Sequence, residues 1–327
     1  MSLNYLQKMK GLLFDKRPVT PKHVIWAYRI ILEREPENQQ IVFERAATCP
    51  TIKQLRTEFL ASPEFRLNNP EEVPYAHQRN IVIKEIGEGL RLFVDLADVV
   101  IGLNIVLGSF EVSETAFIRA TVQPGQSVID LGTNVGYFTM HMAERVGPTG
   151  KVYGFEPLPR NADMAAQSIA ENRFEGRVVL HRVAVGAAPG TAHLLYEIDT
   201  MHSGGSYLVE DSHTGLVGHA VREVDLVTLD QLDMQRPIGF IKMDIEGAEA
   251  LACRGAEAIL REDRPIVMAE LNPDLYPCVS GCTPTEFITE MAGRGYACYL
   301  LENGKPGRQL TQVDDLCTGV FLPRVMA

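Results

Sequence analysis

With 327 residues, 46% of them apolar and 22% charged, the chain has the make-up of a globular protein and the length for one large domain and a smaller one. Its formal charge of −11, with no run of Lys or Arg, makes nucleic acids and anionic membrane surfaces poor partners. The apolar stretch after Lys8 and Lys10 is only Leu12-Leu13-Phe14, too short for a signal peptide, and no run reaches transmembrane length, so a cytoplasmic protein is expected.

Residues 1–75 are predicted to form a small helical domain. Leu3, Leu6, Met9 and Leu13 line one face of a first helix. Thr20 followed by Pro21 is an N-cap with proline at the first helical position. Val24, Ile25, Tyr28, Ile31 and Leu32 then recur at helical spacing until Pro36. Thr51 caps another helix carrying Ile52, Leu55, Phe59 and Leu60, ending near Ser62-Pro63. Arg29, Leu32, Arg34-Glu35-Pro36, Phe59-Leu60 and Ser62-Pro63-Glu64-Phe65 resemble a helical domain of unknown function often fused to glycan-related enzymes in bacteria. It reads as a packing or dimerisation module, and a homo-oligomer through these helices is the expectation. Asn69 to Pro74 reads as a linker. Residues 76–110 alternate apolar and polar positions broken by Gly87, Gly89, Gly102 and Gly108, which predicts short strands and hairpins. A helix over 111–120, with Ser113 as a cap, opens the main domain, 111–327.

The chain is organised around Ser127-Val128-Ile129-Asp130-Leu131-Gly132-Thr133-Asn134-Val135-Gly136-Tyr137. The apolar first part, bounded by Pro124-Gly125, predicts a buried parallel strand. Gly132 and Gly136 permit a tight turn with close backbone approach to a ligand. Phe138, Met142 and Val146 follow at helical spacing. This is the strand–turn–helix unit at which open α/β sheets bind cofactors. A pyrophosphate binder wants G-x-G-x-x-G. Here the middle glycine is missing and the carboxylate of Asp130 precedes the turn, which suits a ligand carrying an ammonium or sulfonium, such as S-adenosylmethionine. In the bland alternative, Asp130 and Asn134 only build the turn.

A second strand, Lys151 to Phe155, ends at Glu156, about 20 residues past the glycines, where a carboxylate can accept both hydroxyls of a ribose. After a helix over 160–172, a third strand starts at Val178-Val179-Leu180 and ends with the small residues Ala184-Val185-Gly186, suited to a flat adenine ring. Residues 191–197 and 221–226 read as further strands. Between them lies a polar stretch, 199–218, with His202, His213, His219 and Ser203-Gly204-Gly205-Ser206, which reads as a substrate lid or, more plainly, as a solvated loop. Ile238 to Met243 is a buried strand ending in Asp244-Ile245-Glu246-Gly247-Ala248-Glu249, followed by a helix over 248–260. Another strand, Pro265 to Ala269, ends in Glu270. Asp130, Glu156, Asp244 and Glu270 thus all end strands and should meet on one rim of a parallel sheet. A cationic ligand, a metal or a shared proton would offset their repulsion. A helix near 285–292 and strands near 296–301 and 319–322 complete the reading. Of six cysteines only Cys278 and Cys282 are close, with no second pair for a zinc site, so they read as reduced thiols, or alternatively as one disulfide.

From about residue 80 onward the chain resembles the FkbM family of S-adenosylmethionine-dependent methyltransferases. The resemblance rests on the glycine turn, Gly154-Phe155-Glu156-Pro157, Val183-Ala184-Val185-Gly186, Val227-Thr228-Leu229-Asp230 and Ile241-Lys242-Met243-Asp244-Ile245-Glu246-Gly247-Ala248-Glu249. It implies an α/β fold, a class I methyltransferase Rossmann-like sheet, mostly parallel with one antiparallel strand and flanked by helices. It also implies O-methylation of a sugar, glycan or glycosylated natural product. Carried onto this chain, Asp130, Gly132, Thr133, Asn134, Gly136 and Tyr137 would hold the methionine moiety of the donor. Glu156 and Pro157 would hold the ribose, and Ala184 and Val185 would border the adenine. Asp244 and Glu246 would serve catalysis, and Asp244 and Glu270 would be ligands of a Mg²⁺ like that of related sugar O-methyltransferases. The alternatives are a noncatalytic cofactor- or glycan-binding scaffold and a nicotinamide-dependent dehydrogenase.

Overall fold

The structure, a computed structural model, describes residues 18–32, 34–60, 81–98, 100–197, 203–210 and 219–324. The helix expected at 3–13 and the linker at 69–74 lie outside the described residues. Helices α1 (Pro21–Ile31), α2 (Gln39–Thr48) and α3 (Ile52–Leu60) share a core of Val24, Tyr28, Leu32, Val42, Leu55 and Phe59. Thr20 is the N-cap of α1, and Thr51 accepts a hydrogen bond from the amide of Gln54 at the start of α3. Helix α2 was not expected. Its start is marked by Asn38, whose side chain accepts from the Ile41 amide at 3.0 Å, a cap worth about 1 kcal/mol. Its apolar stripe is thin, with Val42 its one buried residue, and so gives little periodicity.

A hairpin of β1 (Ile81–Glu85) and β2 (Arg91–Asp95) leads into the main unit. The next apolar segment is a short helix, α4 (Gly102–Val106), not the expected strand. The Asp98 carboxylate starts it by accepting from the amides of Val100 and Ile101. Helix α5 (Val112–Thr121) begins at Glu111, which holds a left-handed backbone (φ 44°). Ser113 is not its cap: its hydroxyl accepts from the Gly304 amide.

The main sheet is built from β3 (Ser127–Leu131), β4 (Lys151–Phe155), β5 (Val178–His181), β10 (Ile238–Met243), β11 (Ile266–Leu271), β12 (Tyr296–Glu302), β13 (Lys305–Gln309) and β14 (Cys317–Pro323). Its order is β13-β12-β14-β11-β10-β3-β4-β5. Strands β5, β4, β3, β10 and β11 pair in parallel. Strand β14 runs antiparallel to both its neighbours, and the unexpected edge strand β13 pairs antiparallel to β12. Alternation along the strands feeds two cores: Ile129 and Leu131 pack with Ile241 and Phe287 on one face, while Val128 packs with Phe138 and Phe240 on the other. Helices α6 (Tyr137–Val146), α7 (Pro159–Glu171), α8 (Glu249–Arg254), α9 (Tyr276–Val279) and α10 (Pro284–Gly293) complete the chain.

Two further expectations change. Ala184-Val185 does not end the third strand of this sheet but forms β6, which joins β7 (Gly190–Glu197), β8 (Tyr207–Val209) and β9 (His219–Val227) in a second sheet ordered β6-β9-β7-β8. The helix expected over 248–260 is interrupted after Arg254, where the chain at Gly255 presses on the Gly186 carbonyl so closely that a Cβ would lie 2.1 Å from its oxygen, and it resumes as a π-helical turn over Ile259–Asp263. All six cysteines are free thiols. Among the described residues no helix is long and apolar enough to cross a membrane.

The strand ends are tied together by backbone. The amides of Gly132 and Thr133 donate to the Phe155 carbonyl at 3.1 and 3.0 Å, and the Asp244 amide donates to the Leu131 carbonyl at 3.1 Å. Gly132 is left-handed (φ 78°), and a Cβ there would lie 1.9 Å from the Asp244 carbonyl oxygen. Gly132→Ala is therefore expected to lower stability by about 2–4 kcal/mol, backbone strain and overlap combined, as measured by urea unfolding.

Candidate active site

A cavity of about 360 Å³ opens where β3, β4, β10 and β11 end, within the size range of small-molecule sites and at the edge where α/β sheets bind ligands. Gly132, Thr133, Asn134 and Tyr137 line it from the glycine turn, Glu156 and Pro157 from the end of β4, and Ala184 and Val185 from β6. Asp244, Glu246 and Glu270 line it from the ends of β10 and β11. Among the residues singled out from the sequence, Asp130 and Gly136 do not line it. Gly136 turns the chain into α6 with a left-handed backbone (φ 99°) that favours glycine.

Asp130 is fully buried beneath the cavity. One carboxylate oxygen accepts from the Thr139 hydroxyl at 2.5 Å. The other has no hydrogen-bond partner and lies 3.7 Å from the ammonium of Lys242. The cation facing Asp130 is thus supplied by the chain itself, which replaces the expected direct contact with a ligand. Lys242 is 2% exposed. Its ammonium also lies 3.4 Å from the Asp244 carboxylate, donates to the Gly132 carbonyl at 3.2 Å, and sits 5.0 Å from the centre of the Phe138 ring. Burial alone would lower the Lys242 pKa, but the carboxylates of Asp244, Asp130 and Glu111 outweigh it and raise it, so the side chain stays charged. Burial likewise raises Asp130, against Lys242 and Thr139.

Glu156 is 4% exposed, and each of its oxygens is held by a backbone amide, that of Leu158 at 2.8 Å and that of Asn134 at 2.9 Å. Burial outweighs these bonds and raises its pKa to about 7. Asp244, Glu246 and Glu270 can each offer an oxygen within 4.8 Å of the others. Glu246 is raised well above the carboxylate range by burial, then by Asp244 and Glu249, and Glu270 by burial, then by Asp244 and Glu246. Glu246 adopts a left-handed backbone (φ 51°) at the cavity wall, the kind of strain that clusters at functional sites. Glu249 turns away from the cavity and braces the loop by accepting from the Ile245 amide at 2.9 Å.

Neither Lys242 nor Glu111 stands out as a site residue in the sequence, although a charged residue inside a buried central strand is a usable signal for the first. Glu111 lines the cavity from the start of α5, raised to about 8 by desolvation in the cleft and by Glu114 and Asp244. From the stretch expected as a lid, Ser203, Gly204, Ser206, Tyr207 and Leu208 line the cavity. His202 and His213 lie outside the described residues, and His219 opens β9, 3.9 Å from Glu197.

Residues 130–296, half of the sequence, match the model of the methyltransferase FkbM domain, and the chain belongs to that family. It is 38% identical over 56 residues to a protein-L-isoaspartate O-methyltransferase of Aeropyrum pernix, covering 17% of this chain and 22% of that one. It is 35% identical over 81 residues to an arsenite methyltransferase of Halobacterium salinarum, covering 25% of this chain and 20% of that one. The matches span about a fifth of the length of these curated relatives. Among solved structures it resembles a methyltransferase FkbM of Methylobacillus flagellatus KT, with 16% identity and a TM-score of 0.39 over 67% of this chain and 52% of that one.

Removing a partner from a buried ion pair leaves an uncompensated charge. Lys242→Met is therefore expected to cost about 3–5 kcal/mol in denaturant unfolding. The double variant with Asp130→Asn is expected to recover part of that loss.

Proposed function

We propose that the protein is an S-adenosylmethionine-dependent O-methyltransferase acting on an uncharged, hydroxyl-rich acceptor such as a sugar or glycan. The observation that carries this reading is the convergence of Glu156, Asp244, Glu246 and Glu270 on one cavity with the glycine turn, in a chain of the FkbM methyltransferase family. The cavity fits the donor. It offers the carboxylates of Asp244, Glu246 and Glu270 to a positively charged ligand, above a floor where Asp130 is paired with Lys242. Glu156, steadied by two amides, has a lone pair left on each oxygen for the two hydroxyls of a ribose. Ala184, Val185 and Phe155 give an apolar wall for a flat ring. The donor supplies a methyl group on a sulfonium that departs as a neutral thioether.

The chain's share is to orient an acceptor oxygen, exclude water and take its proton. Orientation of this kind supplies up to about 7–11 kcal/mol of the barrier. Glu246 is suited to hold the proton, because its crowded carboxyl binds one more readily than an ordinary glutamate. Asp244 and Glu270 would hold a divalent cation such as Mg²⁺, whose chemistry would be to make an acceptor hydroxyl more acidic. Among the described residues neither Arg nor His lines the cavity, and Lys242 is already engaged by Asp130 and Asp244. An acceptor carrying phosphate or carboxylate would meet unbalanced negative charge.

Transfer from radiolabelled S-adenosylmethionine to neutral sugars is expected, with uronic acids and sugar phosphates poor acceptors. Glu246→Gln is expected to lower turnover about 10²–10⁴-fold. Chelation followed by Mg²⁺ add-back tests the cation: unchanged turnover in EDTA would remove it and leave Glu246 in place. Transfer to no sugar in the panel would overturn the acceptor assignment. Donor affinity carries its own pH signature. Glu156 accepts best when ionised, so affinity is expected to fall as pH drops through about 7, by about tenfold per pH unit well below it. Glu156→Gln is expected to bind weakly with no such dependence.

A further inference from the structure

Ser203 is 3% exposed although it belongs to a polar, Gly-rich segment. Every polar group it has is taken, each by a different part of the chain. Its amide donates to the Asp98 carboxylate at 2.9 Å, next to α4. Its carbonyl accepts from the Asn161 side chain at 3.0 Å, in α7. Its hydroxyl donates to the side-chain oxygen of Asn134 at 3.1 Å, in the glycine turn. Asp98 and Asn161 are 2% and 1% exposed, so the two backbone bonds form away from water, where an unmade partner is costly, while the hydroxyl bond to Asn134 is part-buried at the cavity wall. Asn134 is itself left-handed (φ 51°), and its amide is one of the two that hold Glu156. A continuous line of hydrogen bonds therefore runs from Glu156 through Asn134 and Ser203 to Asp98. The residues just beyond Ser203, namely Gly204, Ser206, Tyr207 and Leu208, form one wall of the cavity. Val100 and Ile101, whose amides Asp98 also holds, form another part of it.

We propose that Ser203 is a positioning residue that clasps this wall to the donor-binding turn, so that filling the donor site sets the acceptor-facing surface and the donor binds first. The proposal rests on the assignment of Glu156 and the glycine turn to S-adenosylmethionine. A donor that fixes Glu156 and Asn134 fixes the acceptor of the Ser203 hydroxyl bond. By reciprocity, loosening the wall weakens the donor site. A purely structural staple would change stability and leave the two sites independent.

Ser203→Ala removes the one bond to the glycine turn and leaves the two backbone bonds to Asp98 and Asn161. Ser203→Thr restores a hydroxyl. The full chain and both variants are titrated with S-adenosylhomocysteine by calorimetry, and amide exchange over 203–209 is followed with and without it. The wild type is expected to bind, and to show slower exchange in that segment when bound. Ser203→Ala is expected to bind about 5- to 10-fold more weakly and to lose the ligand-induced slowing, with Ser203→Thr regaining both. Wild-type affinity together with wild-type slowing in Ser203→Ala would overturn the clasp and leave the donor assignment standing. A wild type that binds neither S-adenosylhomocysteine nor S-adenosylmethionine would overturn the donor assignment and the clasp with it.

Discussion

A single buried ammonium holds the site together. Lys242 rises from the central strand β10 into a ring of carboxylates that would otherwise repel one another, and lies within 3.7 Å of both Asp130 and Asp244. Without it, the buried Asp130 and the cavity-facing Asp244, from adjacent strands, would face each other unbalanced. With it, the turn after β3 and the turn after β10 are joined by charge as well as by the backbone bond from Asp244 to Leu131. The arrangement also divides the labour among the acids. Asp130 is neutralised in place and is structural, Glu249 braces a loop, and Asp244, Glu246 and Glu270 keep oxygens facing the cavity.

That division explains what the sequence could and could not show. The buried strands at 127–131, 151–155, 238–243 and 266–271 were readable because they are apolar runs ended by an acid and a turn, and parallel pairing then dictates that their ends meet. The rim of acids follows from that rule alone. The orientation of each side chain does not. Asp130 and Lys242 occupy partnered positions on adjacent strands, and that register is a property of the sheet, invisible to spacing along the chain. Glu111 was missed for a related reason: it reaches the cavity only because α5 starts one residue later, from a left-handed backbone that no proline or glycine announces.

The second sheet was the larger surprise. Of its strands, β7 and β9 were visible in the sequence, but β8 lies in the stretch that reads as a loop, and Ala184-Val185 is too short to show that it pairs with β9 and not with β5. The separate helix α2 escaped because its apolar face is narrow. In both places the deciding interaction is long-range or small, and local propensity has little to report.

The central claim is that this rim, floored by Asp130 and Lys242, is built for a positively charged nucleoside donor. Calorimetric titration of S-adenosylmethionine into the full chain above pH 7, with NAD as the comparison ligand, tests it most directly. The account predicts saturable binding of one S-adenosylmethionine per chain and none of NAD. No saturable heat from S-adenosylmethionine, or saturation by NAD instead, would contradict it.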